Sequence, residues 1–261
     1  MTTTQQKTNE NQAEPANLEL SAEEVLMLQE MAEAGLLYGL MKKKTHPGMK
    51  PWIFATRSGV EIINLENTIK EISKVNEFLN KVSSNGKQIL IVGTSPAAKG
   101  IAKEIAEETG QPYVNERWLG GTLTNFKVIS NRIKHYNKLI ADRESGALEK
   151  YTKKERLLID KKLEKMKLLF EGIRNLTEMP GAMLVLDMPE NIIAAKEASS
   201  LGIPVAAIIN TDTDPKSVDY PIPANNRLGE SIKLILNHLK NSIKKKEKIA
   251  ERPVDEALKT E

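Results

Sequence analysis

The sequence predicts an α/β fold, a parallel sheet with helices on both faces, carrying a protruding antiparallel helical hairpin. Three observations predict it. Short apolar runs recur at 88–92, 112–114, 182–186 and 204–209. Helical stretches at 96–109 and 190–200 separate them, so strands alternate with helices as in βαβ units. Between the two βα halves, residues 127–175 interrupt the alternation with two highly charged helical stretches.

Residues 1–20, rich in Thr, Gln, Asn and Glu, read as a disordered acidic tail. Ser21, with Glu24 beyond it, reads as a capping box opening a helix to about residue 34. The next stretch carries Lys42, Lys43 and Lys44 in a row, and Pro47 and Pro51 keep it irregular. Residues 52–64 resemble a β-hairpin turning at Ser58-Gly59. Leu65, Ile69, Ile72, Val75, Leu79 and Val82 follow a helical period. The run at 88–92 is bounded by Asn85-Gly86 and Gly93 and reads as a buried parallel strand. The helix after it has Pro96 near its start and Gly110 at its end, the usual asymmetry of helix termini. Gly202 closes the helix at 190–200. A last amphipathic helix spans about 226–247 and ends in Lys244, Lys245 and Lys246, favourable beside its carbonyl end. The chain thus divides into a tail (1–20), an α/β domain (21–126 and 176–240), a hairpin insertion (127–175), and a basic helix end with a flexible tail (241–261).

In the insertion, apolar positions are sparse: Ile129, Ile133, Tyr136 and Ile140, then Leu158, Met166, Leu169 and Ile173, with Glu144-Ser145-Gly146 between them. A narrow seam on a charged background predicts two antiparallel helices packed along one stripe. Such a hairpin projects roughly 25–35 Å at the rise of an α-helix. It exposes most of its surface, which calls for a partner; a purely structural arm is the plainer alternative.

Composition removes several functions. Hydrophobic residues make up 40% of the 261, enough for a sizeable core. No apolar run approaches the ~20 residues of a membrane span. The first residues lack the basic-then-apolar order of a secretory signal. With no cysteine, disulfides, thiolate metal sites and thiol nucleophiles are excluded. The net charge of +3 is unevenly spread: residues 1–30 carry −5, whereas 127–175 hold fourteen Lys/Arg against seven Asp/Glu. Such a segment attracts a polyanion by releasing condensed counterions, or is a solvated helix face.

Catalytic constellations are weak. Val92 to Pro96 follows a strand and opens a helix, where α/β folds bind phosphate, yet it is neither a dinucleotide fingerprint nor a P-loop. A nucleotide-dependent enzyme rests on that turn alone. His46, His135 and His238 have no metal-ligand spacing, and no nucleophile elbow occurs. Asn210 to Pro215, with Asp212 and Asp214, could hold a hard cation with Asp187 nearby, or cap turns through its side chains. The segment from Asn115 to Phe126 differs. Trp118 beside Gly120-Gly121 makes a compact loop around an aromatic anchor, while Arg117, Thr122, Thr124 and Asn125 suit phosphates or sugars.

The run Tyr113-Val-Asn-Glu-Arg-Trp-Leu-Gly-Gly-Thr-Leu-Thr-Asn-Phe126 resembles the signature of the small-subunit ribosomal protein two family, bacterial type. Met49-Lys-Pro-Trp-Ile-Phe54, Ile62-Ile-Asn-Leu65, Ile91-Val-Gly-Thr94, Leu201-Gly-Ile-Pro-Val205 and Asp219-Tyr-Pro-Ile-Pro223 match that family in order, over about residues 22–240. The resemblance implies a flavodoxin-like three-layer α/β/α domain with a helical hairpin and no catalysis; no cofactor or metal is expected. Its implied place is the cytoplasmic ribosome, between head and body of the small subunit. The implied partners are small-subunit ribosomal RNA and neighbouring ribosomal proteins, including protein one, with no membrane and no homo-oligomer. RNA-binding or assembly residues are then expected at Lys42, Lys43 and Lys44. Arg117, Trp118, Gly120, Gly121, Thr122, Thr124 and Asn125 follow in the signature loop, and Lys127, Arg132, Lys134, Lys153, Lys154, Lys161, Lys162 and Lys165 in the insertion. Two departures stand out. Tyr38-Gly-Leu40 replaces the usual Phe-Gly-His, and Pro223-Ala-Asn-Asn-Arg227 lacks two acids of the family's run. A protein-binding hairpin remains the third reading, separable from RNA binding by salt dependence.

Overall fold

The structure, a computed structural model, describes residues 22–244. The expected tail at 1–20, the Ser21 cap, and Lys245, Lys246 and the C-terminal tail lie outside the described residues. Five parallel strands form the main sheet: β4 (Ile89–Val92), β5 (Tyr113–Val114), β6 (Ala182–Val185), β7 (Val205–Ile209) and β8 (Tyr220–Pro223), in the order β5-β4-β6-β7-β8. This is the flavodoxin-like strand order. Before it, β1 (Tyr38–Met41), β2 (Ile53–Arg57) and β3 (Val60–Ile63) make a small antiparallel sheet ordered β1-β3-β2. The β2–β3 turn has Ser58 and Gly59 at positive φ (51° and 79°), the two-residue geometry that matches strand twist.

Alternation along the buried strands divides the core in two. Ile89, Ile91, Leu184, Ala206, Ile208 and Ile222 point to one face, with α1 (Ala22–Glu33), α2 (Leu65–Ser84), α3 (Lys99–Thr109) and α7 (Gly229–Ile243). Leu90, Val92, Met183, Val185, Val205 and Ala207 point to the other. There they meet α6 (Ile192–Ser200) and the inner ends of α4 (Phe126–Glu144) and α5 (Lys153–Phe170). The result is a three-layer α/β/α fold.

Two strands went unread in the sequence. β1 lies in the stretch expected to be irregular; its Leu40 amide donates to Thr211 Oγ1 at 2.9 Å. β8 contains Pro221 and Pro223, which argue against a central strand, but it is an edge strand. The Ala224 amide donates to Ile209 O at 2.9 Å, so alternate positions face β7 and the two prolines fall where no amide proton is needed. The prolines also blunt the edge against further pairing.

Candidate nucleic-acid interface

The signature loop joins β5 to α4 and is folded around a carboxylate that sequence reading missed, Glu197 on α6. Glu197 accepts hydrogen bonds from Trp118 Nε1 (3.0 Å), the amides of Gly121 (2.8 Å), Leu123 (3.1 Å) and Thr124 (3.2 Å), and the Thr124 hydroxyl (3.1 Å). It is 9% exposed. Burial pushes its pKa up, but the bonds from Trp118, Gly121, Thr124 and Leu123 outweigh that and hold the carboxyl below the ordinary range. Gly121 has φ +87°, a conformation that bends the amides toward Glu197 and that side chains rarely adopt. At Gly120 a Cβ would meet open space, so that position is free for close approach from outside.

These contacts sort the expected loop residues. Trp118 is half-buried with its N–H committed, and Thr122 is buried with its hydroxyl donating to Leu119 O at 2.6 Å. Both hold the loop together, as does Thr124. Arg117, Gly120 and Asn125 are exposed, and no partner engages the Arg117 guanidinium among the described residues. A sequence signal for Glu197 was present only as an acid on the helix after β6, 79 residues from Trp118.

The insertion is a helical pair held from both sides. Ile129, Ile133, Tyr136, Leu163 and Phe170 are buried in the core layer under the sheet. The pair runs antiparallel, since Arg143 meets Asp160 (3.7 Å) and the Tyr136 hydroxyl donates to Glu171 Oε2 (2.5 Å). Thr152 and Glu155 form a capping box that starts α5 at Lys153. Packing against the core layer turns Ile159, Leu163, Met166 and Phe170 inward. Leu158, expected in the seam, is turned to solvent instead. Lys127, Arg132, Lys134, Lys153, Lys154, Lys161, Lys162 and Lys165 are all exposed. Lys162 Nζ lies 3.0 Å from His135 Nε2; the others form no salt bridge or hydrogen bond among the described residues. Lys42, Lys43 and Lys44 form an exposed single turn of 3-10 helix (Lys42–Lys44) after β1.

The crevice where such a fold admits a phosphate lies beyond the carboxyl ends of β4 and β6. Here Asp187 occupies the amides at its floor, beside a cavity of about 320 Å³ that Ser95, Asp187 and Arg227 line. Its carboxylate accepts from the amides of Thr94 (3.4 Å) and Ser95 (2.5 Å) and from Asn191 Nδ2. Burial raises the Asp187 pKa against these bonds. The amides a phosphate would use already face an internal anion. Asp214 caps the 3-10 turn Pro215–Ser217 through Lys216 N (3.0 Å), and Asp212 faces Arg227 (3.5 Å), so both acids act as turn and pairing residues. Among the described residues no group of three or more His, Asp or Glu is placed to hold a metal ion.

An occupied crevice turn, a loop closed on its own carboxylate and an arm rich in unpaired lysines place this chain among α/β/α proteins with a basic helical arm. Comparison with known proteins makes this specific. The profile of ribosomal protein S2 matches residues 31–246. The small ribosomal subunit protein uS2 of Coprothermobacter proteolyticus is 40% identical over 219 residues, 84% of this chain and 82% of the relative. That of Dictyoglomus thermophilum is 37% identical over 236 residues (90% and 96%), and that of Chlorobaculum tepidum 40% over 216 (83% and 87%). The chain belongs to the ribosomal protein S2 family, whose members are structural and non-catalytic.

Proposed function

We propose that this protein is a structural constituent of the small ribosomal subunit, gripping ribosomal RNA with its basic arm at the head–body junction. The carrying observation is the set of unpaired cations on helices whose inner faces are locked into the core. Lys127 and Lys134 share one solvent face of α4, Arg132 lies on another exposed side, and Arg117 and Asn125 sit at the loop beside its start, a rigid array of exposed polar and cationic groups. Rigidity matters because lysine and arginine contacts to phosphate position a protein on folded RNA by shape. Lys42, Lys43 and Lys44 form a second cationic spot. Neighbouring proteins, with ribosomal protein one of the same subunit among them, have an exposed apolar face available at Tyr38, Met41 and Phe54 on the small sheet. In this reading the protein works in the ribosome, in the cytoplasm.

The test is sucrose-gradient sedimentation of a native-host lysate at high and low magnesium. Co-migration with the small subunit, shifting with it as magnesium falls, is the expected result. Sedimentation as a free protein throughout would overturn the reading.

A further inference from the structure

The two helices of the arm present different chemistry to solvent. On α4 the outward side chains include Lys127, Lys134 and Lys138, with Val128 the only large apolar one among them. On α5 three leucines lie in the open: Leu157 (55% exposed), Leu158 (59%) and Leu168 (61%). At 100° per residue these share a stripe with Lys154, Lys161 and Lys165, opposite the inward row Ile159, Leu163, Met166 and Phe170. Positions 154, 161 and 168 are a heptad apart, as are 158 and 165. α5 therefore has two seams, and only one is filled.

We propose that the outer stripe of α5 is a docking strip for an acidic amphipathic helix of a neighbouring ribosomal protein. Phosphates gain nothing from leucines, so RNA explains the lysines and leaves the leucines without a role. A helix packed along the stripe uses both. Its apolar residues cover Leu157, Leu158 and Leu168, and flanking Asp or Glu meet Lys154, Lys161 and Lys165, whose methylene stems extend the apolar surface. The charge decides the partner's sign, because those three lysines have no counter-ion among the described residues. From 154 to 168 the stripe is about 21 Å long, four turns of a partner helix. The strip rests on placement in the small subunit, with RNA contact assigned to the α4 side.

The experiment places a photo-crosslinking phenylalanine analogue at position 158 of the full chain, in small subunits assembled in the native host. Presence of the chain in purified subunits is scored first. The expected product is a crosslink to a ribosomal protein, mapped by mass spectrometry to an acidic helix. Leu157→Ser with Leu168→Ser should lower that crosslink about tenfold while leaving the free chain's affinity for ribosomal RNA unchanged. Crosslinking to RNA, to a second copy of this chain or to nothing, or an equal loss of RNA affinity, overturns the strip alone. A chain absent from the subunits overturns the ribosomal reading and the strip together.

Discussion

Five donors of one loop converge on the Glu197 carboxylate: three are backbone amides that would otherwise go unsatisfied, one is the Thr124 hydroxyl, and Trp118 Nε1 ties the loop's aromatic anchor to α6. Replacing it with glutamine keeps the length but sets an NH2 group against N–H donors. Glu197→Gln should cost about 1–3 kcal/mol in urea unfolding at neutral pH. The sign of its pH dependence follows from the lowered pKa. A carboxyl held below its unfolded value contributes fully above that value and loses the contribution as pH falls through the folded one. The gap between wild type and Glu197→Gln should therefore be widest near neutrality and close in acid. A gap constant with pH would show that shape, not charge, organises the loop.

At the level of elements, the arm's inner half and the sheet share one core, within which the Tyr136–Glu171 bond ties α4 to the end of α5. Burial, then that hydrogen bond and the Glu171 charge, push the Tyr136 phenol's pKa up, so it stays a donor at any physiological pH. Tyr136→Phe should destabilise by about 0.5–1.5 kcal/mol, because Glu171 can rehydrate. Calorimetry should still show a single transition; two transitions would mean that the arm melts alone. The elements most legible in the sequence were those with a strong period or clear ends, such as α2, α3 and β4. β8 was hidden because proline arguments concern a strand's neighbours, and sequence does not show that β8 has only one. Leu158 was misplaced because two overlapping apolar rows share the helical period on α5, and only packing against the core selects the one through Leu163 and Phe170. The loop was legible as a site, while its organiser was not, since a contact across 79 residues leaves no local trace.

For the molecule as a whole, charge is arranged by region. Substituting Lys127, Lys134 and Lys138 with glutamine should weaken binding to small-subunit ribosomal RNA and flatten its salt dependence. The slope of log affinity against log salt should fall by up to about 3, near one per lost phosphate contact. An unchanged slope, measured by filter binding across a salt series, would move the RNA contact away from α4.

The burial of Ile129, Ile133, Tyr136, Leu163 and Phe170 beneath the sheet sets where this chain can change length. Excising the insertion would uncover part of the face that Leu90, Val92, Met183 and Val185 share with α6. Trimming matched turns between 141 and 158 would leave those buried side chains in place, provided the Thr152–Glu155 cap that starts α5 is kept. The reach of the arm is thus a variable that natural variation or a designer can lengthen or shorten turn by turn, whereas its root is fixed by the domain it grows from.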